Sequence, residues 1–356
     1  MQKDFKKYSS LTISGIPYTA GRLLTLCNQK LQQTGLHPWE KSFYHFLSEW
    51  LNDASFVTVK TSGSTGPPKT IKVSKSAMLQ SAFNTLSFFN LKKGQTALLC
   101  LPCDYIAGKM MVVRAFAGNL NLIVLPVSGT PLSALQESVD FAALIPLQLS
   151  NELRENPEKM QLLRTVILGG SATDEELTRQ LQYQPFEAWE TYGMTETLSH
   201  IALRPFKGPK KEKYFTPLPN VTVHQDNRGC LTIEAPGITE DTIVTNDLAE
   251  ITTDGKFRIL GRIDNIINSG GIKISPEELE ARITKLISCP FFISSLPHPH
   301  LGQELVLVTE KPPQNENHLL DEIRKIVPPH HAPRKIIVRN PLPRTRNGKI
   351  KRILNL

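Results

Sequence analysis

From about residue 96 the chain alternates short apolar runs with helical patterns, and this alternation constrains the fold more than any other feature. TALLCLP (96–102) reads as a buried strand, GKMMVVRAFAG (108–118) as a helix and LNLIVLP (120–126) as a strand. RTVILGG (164–170) is a further strand ending in a glycine pair, and TDEELTRQLQ (173–182) follows as a helix with acidic residues in its first turn. Strands alternating with helices predict an α/β fold with a parallel-type sheet flanked by helices. Such sheets bind ligands beyond the carboxyl ends of their strands, where GGSAT (169–173) would lie.

After about residue 205 the texture changes to short alternating segments, VTVHQ, CLTIEA and KFRIL, separated by Gly, Asn and Asp, which predicts a small β subdomain. A second change comes at GRIDNIINSGGIKISPEELEARI, where Ser275, Pro276 and Glu278 write a capping box with proline at the first helical position. FFISSL, ELVLVTE, NHLLDEIRKIV and KIIVR then complete a compact α+β unit. The expected organisation is a large domain over 1–262 and a small, mobile α+β domain over 263–356.

A chain of 356 residues, 40% hydrophobic, has room for a large core and a further domain. The N-terminus has no apolar core of a signal peptide, and no run of eighteen apolar residues occurs, so neither secretion nor a membrane span is expected. Five cysteines at 27, 100, 103, 230 and 289 make no disulfide framework and fit a reducing cytoplasm. Cys100 and Cys103 form a single CxxC with no second pair and no nearby histidine, which favours buried thiols over zinc. The net charge of +8 is spread along the chain, without a basic helix stripe or interleaved aromatics. Anionic small ligands such as nucleotides therefore fit better than nucleic acid.

TSGSTGPPKT (61–70) is composed like a phosphate-gripping loop. A Walker A loop needs glycine before its lysine and a helix after it, whereas Pro67 and Pro68 precede Lys69 and the following TIKV alternates like a strand. What remains is a loop between two short strands, FVTVK (56–60) and TIKV (70–73). Its glycines allow close approach, and Ser62, Ser64, Thr65 and Lys69 offer donors. A solvated hairpin turn would have similar composition.

Four later stretches follow in order: ETYGMTE (190–196), TNDLAE (245–250), GRIDNIINSGGIKISPEELE (261–280) and PRTRNGKIKR (343–352). With the loop they resemble the signature series of the acyl-adenylate-forming superfamily, over most of the chain from about residue 56 onward. The resemblance implies a ligase using ATP, Mg²⁺ and CoA. A carboxylate attacks the α-phosphorus of ATP to form an acyl-adenylate, and a thiol then displaces AMP. Carried over by position, it implies that Thr61, Ser62, Ser64, Thr65 and Lys69 hold phosphates, while Gly169, Gly170, Ser171 and Ala172 line the adenine and acyl pocket. Thr191, Tyr192 and Gly193 belong to the nucleotide site, with Tyr192 stacked on adenine; Thr195 contacts the α-phosphate and Glu196 ligates Mg²⁺. Asp247 accepts from the ribose hydroxyls with Arg262 in support, and Asp264 is the hinge about which the small domain rotates, presenting the Gly270 and Gly271 segment to the incoming thiol. Lys349 reaches the α-phosphate and carboxylate during adenylation, although taken alone it would be a solvated surface lysine. The family usually has glycine where this chain has Asn246; if that position needs φ > 0, asparagine is the best replacement.

The acid is set by the pocket. Ser199 and His200 follow the Mg²⁺ glutamate and suit an acid with a second polar group, though both fit packing roles equally; Tyr105 stands where relatives often carry histidine. The pattern as a whole is similar to the o-succinylbenzoate-CoA ligases of menaquinone biosynthesis, with other aryl-acid ligases and carrier-protein-loading enzymes as alternatives. A non-catalytic nucleotide-binding descendant would be expected to have lost Glu196, Asp247, Arg262 or Lys349, and all four are present. Only sixty residues precede the phosphate loop, so a reduced N-terminal subdomain is expected, which leaves room for a homodimer that completes the fold.

Overall fold

A computed structural model describes residues 5–60, 70–171, 173, 175–207, 213–344 and 350–352. The chain forms two compact units, Met1–Val223 with Ile233–Ile243, and His224–Thr232 with Val244–Leu356. The first unit runs β1 (Leu11–Ile13), β2 (Ile16–Tyr18), α1 (Ala20–Leu31), α2 (Pro38–Leu51), β3 (Phe56–Lys60), β4 (Thr70–Ser74), α3 (Lys75–Phe88) and β5 (Thr96–Leu99). It continues with α4 (Ile106–Gly118), β6 (Asn121–Val124), β7 (Val139–Leu144), α5 (Pro146–Glu155), β8 (Leu163–Leu168), α6 (Glu175–Leu181), β9 (Glu187–Gly193), β10 (His200–Pro205) and β11 (Thr216–Pro217).

Nine strands make one sheet in the order β11-β10-β9-β8-β7-β5-β6-β1-β2. Every neighbour from β9 to β1 is parallel. Antiparallel strands close both edges, a feature that short apolar runs do not reveal. Successive residues of a strand face opposite sides, and Phe141 and Ala142 of β7 are both fully buried, so both faces of the sheet are covered. β6 lies on one side of β5 and β7 on the other, and this reversal of order marks where such sheets bind ligands.

Helix α4 follows β5 and is buried on every side: all residues from Gly108 to Ala117 are inside. Asn119, in the left-handed conformation at φ 48°, ends it. The strands expected on either side of TSGSTGPPKT are present, paired antiparallel from Phe56↔Ser74 to Lys60↔Thr70. The loop positions Thr61, Ser62, Ser64, Thr65 and Lys69 themselves lie outside the described residues.

The second unit takes in most of the small sheet of β12 (Thr222–Gln225), β13 (Cys230–Glu234), β14 (Ile243–Ile251) and β15 (Phe257–Arg262), paired in that order. Then come β16 (Ile267–Ser269), β17 (Ile272–Ile274), α7 (Pro276–Ile283), β18 (Phe291–His298), β19 (Gly302–Thr309), α8 (Glu316–Ile326) and β20 (Lys335–Val338). Their sheet has the order β17-β16-β19-β18, with β20 parallel to β19. Ile274, Ile283, Ile293, Leu307 and Ile323 form its core against α7 and α8. At the start of α7, Ser275 Oγ accepts from the Glu278 N–H at 3.4 Å, half of the expected capping box.

All five cysteines are free. Burial pushes Cys100 and Cys103 up to about 12, the behaviour of inert core thiols rather than of metal ligands. No helix of the described residues is long and apolar enough to cross a membrane.

Lys75, at the start of α3, is fully buried; its Nζ donates to the backbone oxygen of Asn52 at 2.8 Å and to its Oδ1 at 3.0 Å. Burial lowers its pKa to about 8. Between pH 8 and the ordinary lysine value the unfolded chain therefore holds more protons than the folded one, and stability gained from this group rises with pH. Urea unfolding of wild type and Lys75→Met should show the wild type gaining on the variant from pH 8 to pH 10. A constant difference would contradict the buried ammonium.

Candidate active site

The carboxyl ends of the parallel strands deliver most of the residues singled out in the first unit. Gly170 and Ser171 follow β8, Tyr105 precedes α4 as its N-cap after β5, and Thr191, Tyr192 and Gly193 end β9. Thr191 Oγ1 donates to Leu168 O at 2.9 Å, tying β9 to the end of β8. A Cβ at Gly193 would stand 2.2 Å from Ser199 O, so only glycine permits the backbone crossing that starts β10. The turn between is built by the buried hydroxyl of Thr197, which accepts from Met194 N–H at 3.0 Å and meets Met194 O at 3.1 Å and Ser199 O at 2.8 Å. Thr195 is half-buried on this turn, and Glu196 is exposed. Ala172 lies outside the described residues.

Ser199 and His200 meet two residues that the sequence reading passed over, Arg114 of α4 and Thr85 of α3. Arg114 is 2% exposed. Its Nη2 donates to Ser199 Oγ at 2.6 Å, Nε to Thr85 Oγ1 at 3.2 Å, and Nη1 lies 3.4 Å from Met111 Sδ. His200 Nε2 sits 3.2 Å from Thr85 Oγ1, and its Nδ1 is 3.4 Å from Ser199 Oγ. Among the described residues no carboxylate pairs with Arg114. Burial alone lowers its pKa to about 9. Burial, and then the Arg114 cation, push His200 well below the usual histidine range, so the imidazole is neutral. One turn before Thr85, the buried Ser81 hydroxyl makes no hydrogen bond. A guanidinium surrounded by neutral donors and acceptors is equipped to receive an anion. The signal in the sequence was a single arginine inside the apolar run MMVVRAFA.

In the second unit, Asp247 and Arg262 are register partners on β14 and β15, with Arg262 Nη1 3.5 Å from Asp247 Oδ1. Arg262 Nη2 also donates to Asp264 at 2.8 Å. Asn246 lies inside β14 and does not adopt positive φ. Its side chain is used instead: Nδ2 donates to both oxygens of Asp264, at 3.2 and 3.1 Å. The Arg262 and Asn246 donors hold the Asp264 carboxyl below the usual carboxylate range. Gly270 and Gly271, at φ 61° and 86°, form the tight turn of the β16–β17 hairpin, a pair of positive φ values that glycine supplies without strain.

Lys349 lies outside the described residues. The chain on either side of it is pinned: Lys351 N–H donates to Pro343 O at 2.7 Å, and Arg344 bridges Ile350. Arg352 grips Glu280 of α7 with two nitrogens, one of them 2.7 Å from Oε2. Among the described residues no group of three His, Cys, Asp or Glu side chains is arranged to hold a metal ion. A magnesium ion, which keeps waters and phosphate oxygens in its shell, needs only one or two carboxylates, and the exposed Glu196 fits that demand.

Residues 38–237 match the family model of the AMP-binding enzymes. The chain belongs to the AMP-binding enzyme family. It is 29% identical to a 2-succinylbenzoate–CoA ligase of Salmonella typhimurium over 255 residues, 68% of this chain and 54% of that protein. The chain thus spans about half the length of that curated relative. An acyl-CoA synthetase (AMP-forming)/AMP-acid ligase II-like protein from Dyadobacter fermentans is 36% identical, covering 92% of this chain and 95% of its own, with a TM-score of 0.63. The o-succinylbenzoate coenzyme A synthetase from Bacillus subtilis, solved with ATP and magnesium ion, shares the fold at a TM-score of 0.73 and 17% identity, covering 97% and 96%.

Replacing Arg114 by Met keeps volume and removes a buried charge that no carboxylate among the described residues meets. Denaturant unfolding without ligand should find Arg114→Met as stable as the wild type or up to about 2 kcal/mol more stable. A loss of about 3 kcal/mol would instead mark Arg114 as a structural residue whose partners need its charge.

Proposed function

We propose that the chain is an ATP- and Mg²⁺-dependent acid:CoA ligase that forms an acyl-adenylate and then a CoA thioester, with o-succinylbenzoate as the acid and menaquinone biosynthesis as its setting. The observation that carries this reading is the buried Arg114 with Ser199, His200 and Thr85, a cation that no carboxylate among the described residues meets. o-Succinylbenzoate has two carboxylates, so one reacts while the other neutralises Arg114. Relatives named 2-succinylbenzoate–CoA ligase support the same acid. Five free cysteines, four of them buried, fit a reducing cytoplasm.

In the first step a carboxylate oxygen bonds to the α-phosphorus of ATP, the bond to the bridging oxygen breaks, and pyrophosphate leaves. Negative charge spread over the phosphate oxygens favours fixed donors and cations. Thr195 is assigned to the α-phosphate and Lys349 to the α-phosphate and reacting carboxylate. The phosphate loop is assigned to the leaving pyrophosphate. Mg²⁺, held by Glu196, supplies further charge neutralisation at the phosphates when bound. Tyr192 stacks on adenine, and Asp247, braced by Arg262, accepts from the ribose hydroxyls. In the second step the CoA sulfur bonds to the acyl carbon, the acyl C–O bond breaks, and AMP leaves. Asp264 is assigned to the hinge between the two steps and the Gly270–Gly271 turn to the thiol.

An acid panel assayed by pyrophosphate and AMP release tests the reading. Turnover should be greatest with o-succinylbenzoate, and Arg114→Met should raise KM for it about 10- to 100-fold while changing a monocarboxylic aryl acid little. Preference for a monocarboxylic acid, or transfer to a carrier-protein thiol in place of CoA, would overturn it. Lys349→Ala should abolish acyl-adenylate formation yet still convert supplied acyl-adenylate to thioester. Equal loss of both half-reactions would contradict the role of the lysine.

A further inference from the structure

We propose that the ion pair between Glu190 and Arg204 is a positioning device for the adenine ring, making both residues determinants of ATP affinity. This rests on the reading that Tyr192 stacks on adenine. Glu190 of β9 and Arg204 of β10 are cross-strand register partners, and Glu190 is 5% exposed. Arg204 donates to Glu190 Oε2 through both Nε and Nη2. A carboxylate buried beside a site for a polyanion is unfavourable unless paired, and this bonding neutralises it.

The pair reaches the site along two routes. The second oxygen of Glu190 accepts from the backbone N–H of Thr173 at 3.4 Å, the residue that ends the GGSAT stretch after β8. Along the other route the Arg204 guanidinium lies over the Phe215 ring, 4.7 Å from its centroid, and its Nη1 donates to Lys213 O at 3.1 Å. Phe215, 6% exposed, meets the Tyr192 ring at 5.9 Å between centroids and 53° between planes. Glu190 and Tyr192 are two residues apart on β9 and so share a face of the sheet. One carboxylate thus braces the backbone segment on one side of the nucleotide site and, through a cation–π contact, the ring on the other. A tyrosine held in one rotamer before ligand arrives loses less freedom on stacking, and affinity rises accordingly.

Arg204→Lys keeps a charge for Glu190 but removes the planar fork that lies over Phe215. Phe215→Leu removes the ring. Both variants and the double variant are made in the full chain, and ATP affinity is measured by calorimetry beside melting temperature and KM for the acid. Each single variant should weaken ATP binding about three- to tenfold, with acid KM unchanged, and the double variant should match the singles rather than multiply them. Three results would overturn the proposal: unchanged ATP affinity, effects that multiply, or a fall in kcat and melting temperature with both KM values unmoved, which marks a brace only. Wild type that binds no ATP would sink the functional reading as well, whereas wild type that binds ATP alongside unaffected variants sinks this inference alone.

Discussion

A guanidinium inside a helix that is buried on all sides is the constraint around which the first unit is organised. Arg114 could face neutral water only if α4 were half exposed, and α4 is not. Its charge must be met from within, and among the described residues its partners are a serine, a threonine and a thioether. Those contacts satisfy hydrogen bonds without supplying negative charge, so the free chain carries an electrostatic cost that an anionic ligand removes. His200 cannot help, because the same burial and the same cation keep its ring neutral. The arrangement is poor as a stabilising device and well suited as half of a binding site.

The placement of that site follows from the fold. Parallel strands direct their carboxyl ends to one edge, where Gly170 and Ser171, Tyr105 and the TYGMTE turn emerge from β8, β5 and β9. The Gly193 crossing then turns the chain back so that Ser199 and His200 arrive over α3 and α4. In the second unit Asp247, Arg262 and Asp264 form a separate network on β14, β15 and the residues just beyond. Asn246 is part of that network, and its side chain binds Asp264 where a glycine would have none.

Much of this was legible in the residues. Alternating apolar runs and helical patterns announced the parallel sheet, and paired prolines before Lys69 pointed to a strand rather than a helix after the TSGSTGPPKT stretch, which β4 is. The antiparallel edges were hidden because β2 and β11 are too short to show a period. Arg114 was hidden for a different reason: periodicity identifies which residues are apolar, but a helix buried all round has no polar face on which a charge is expected. The Asn246 substitution was visible, yet its use was not, since pairing with Asp264 depends on where residues eighteen positions apart are brought by the sheet.

The account stands on the claim that the missing counter-charge of Arg114 comes from the substrate. A crystal structure of the chain with o-succinylbenzoate tests it most directly. One carboxylate of the acid should lie within about 3 Å of the Arg114 guanidinium and accept from Ser199, with the other directed toward Lys349. An acid bound with its second carboxylate in solvent, and Arg114 still touching only Ser199, Thr85 and Met111, would contradict it.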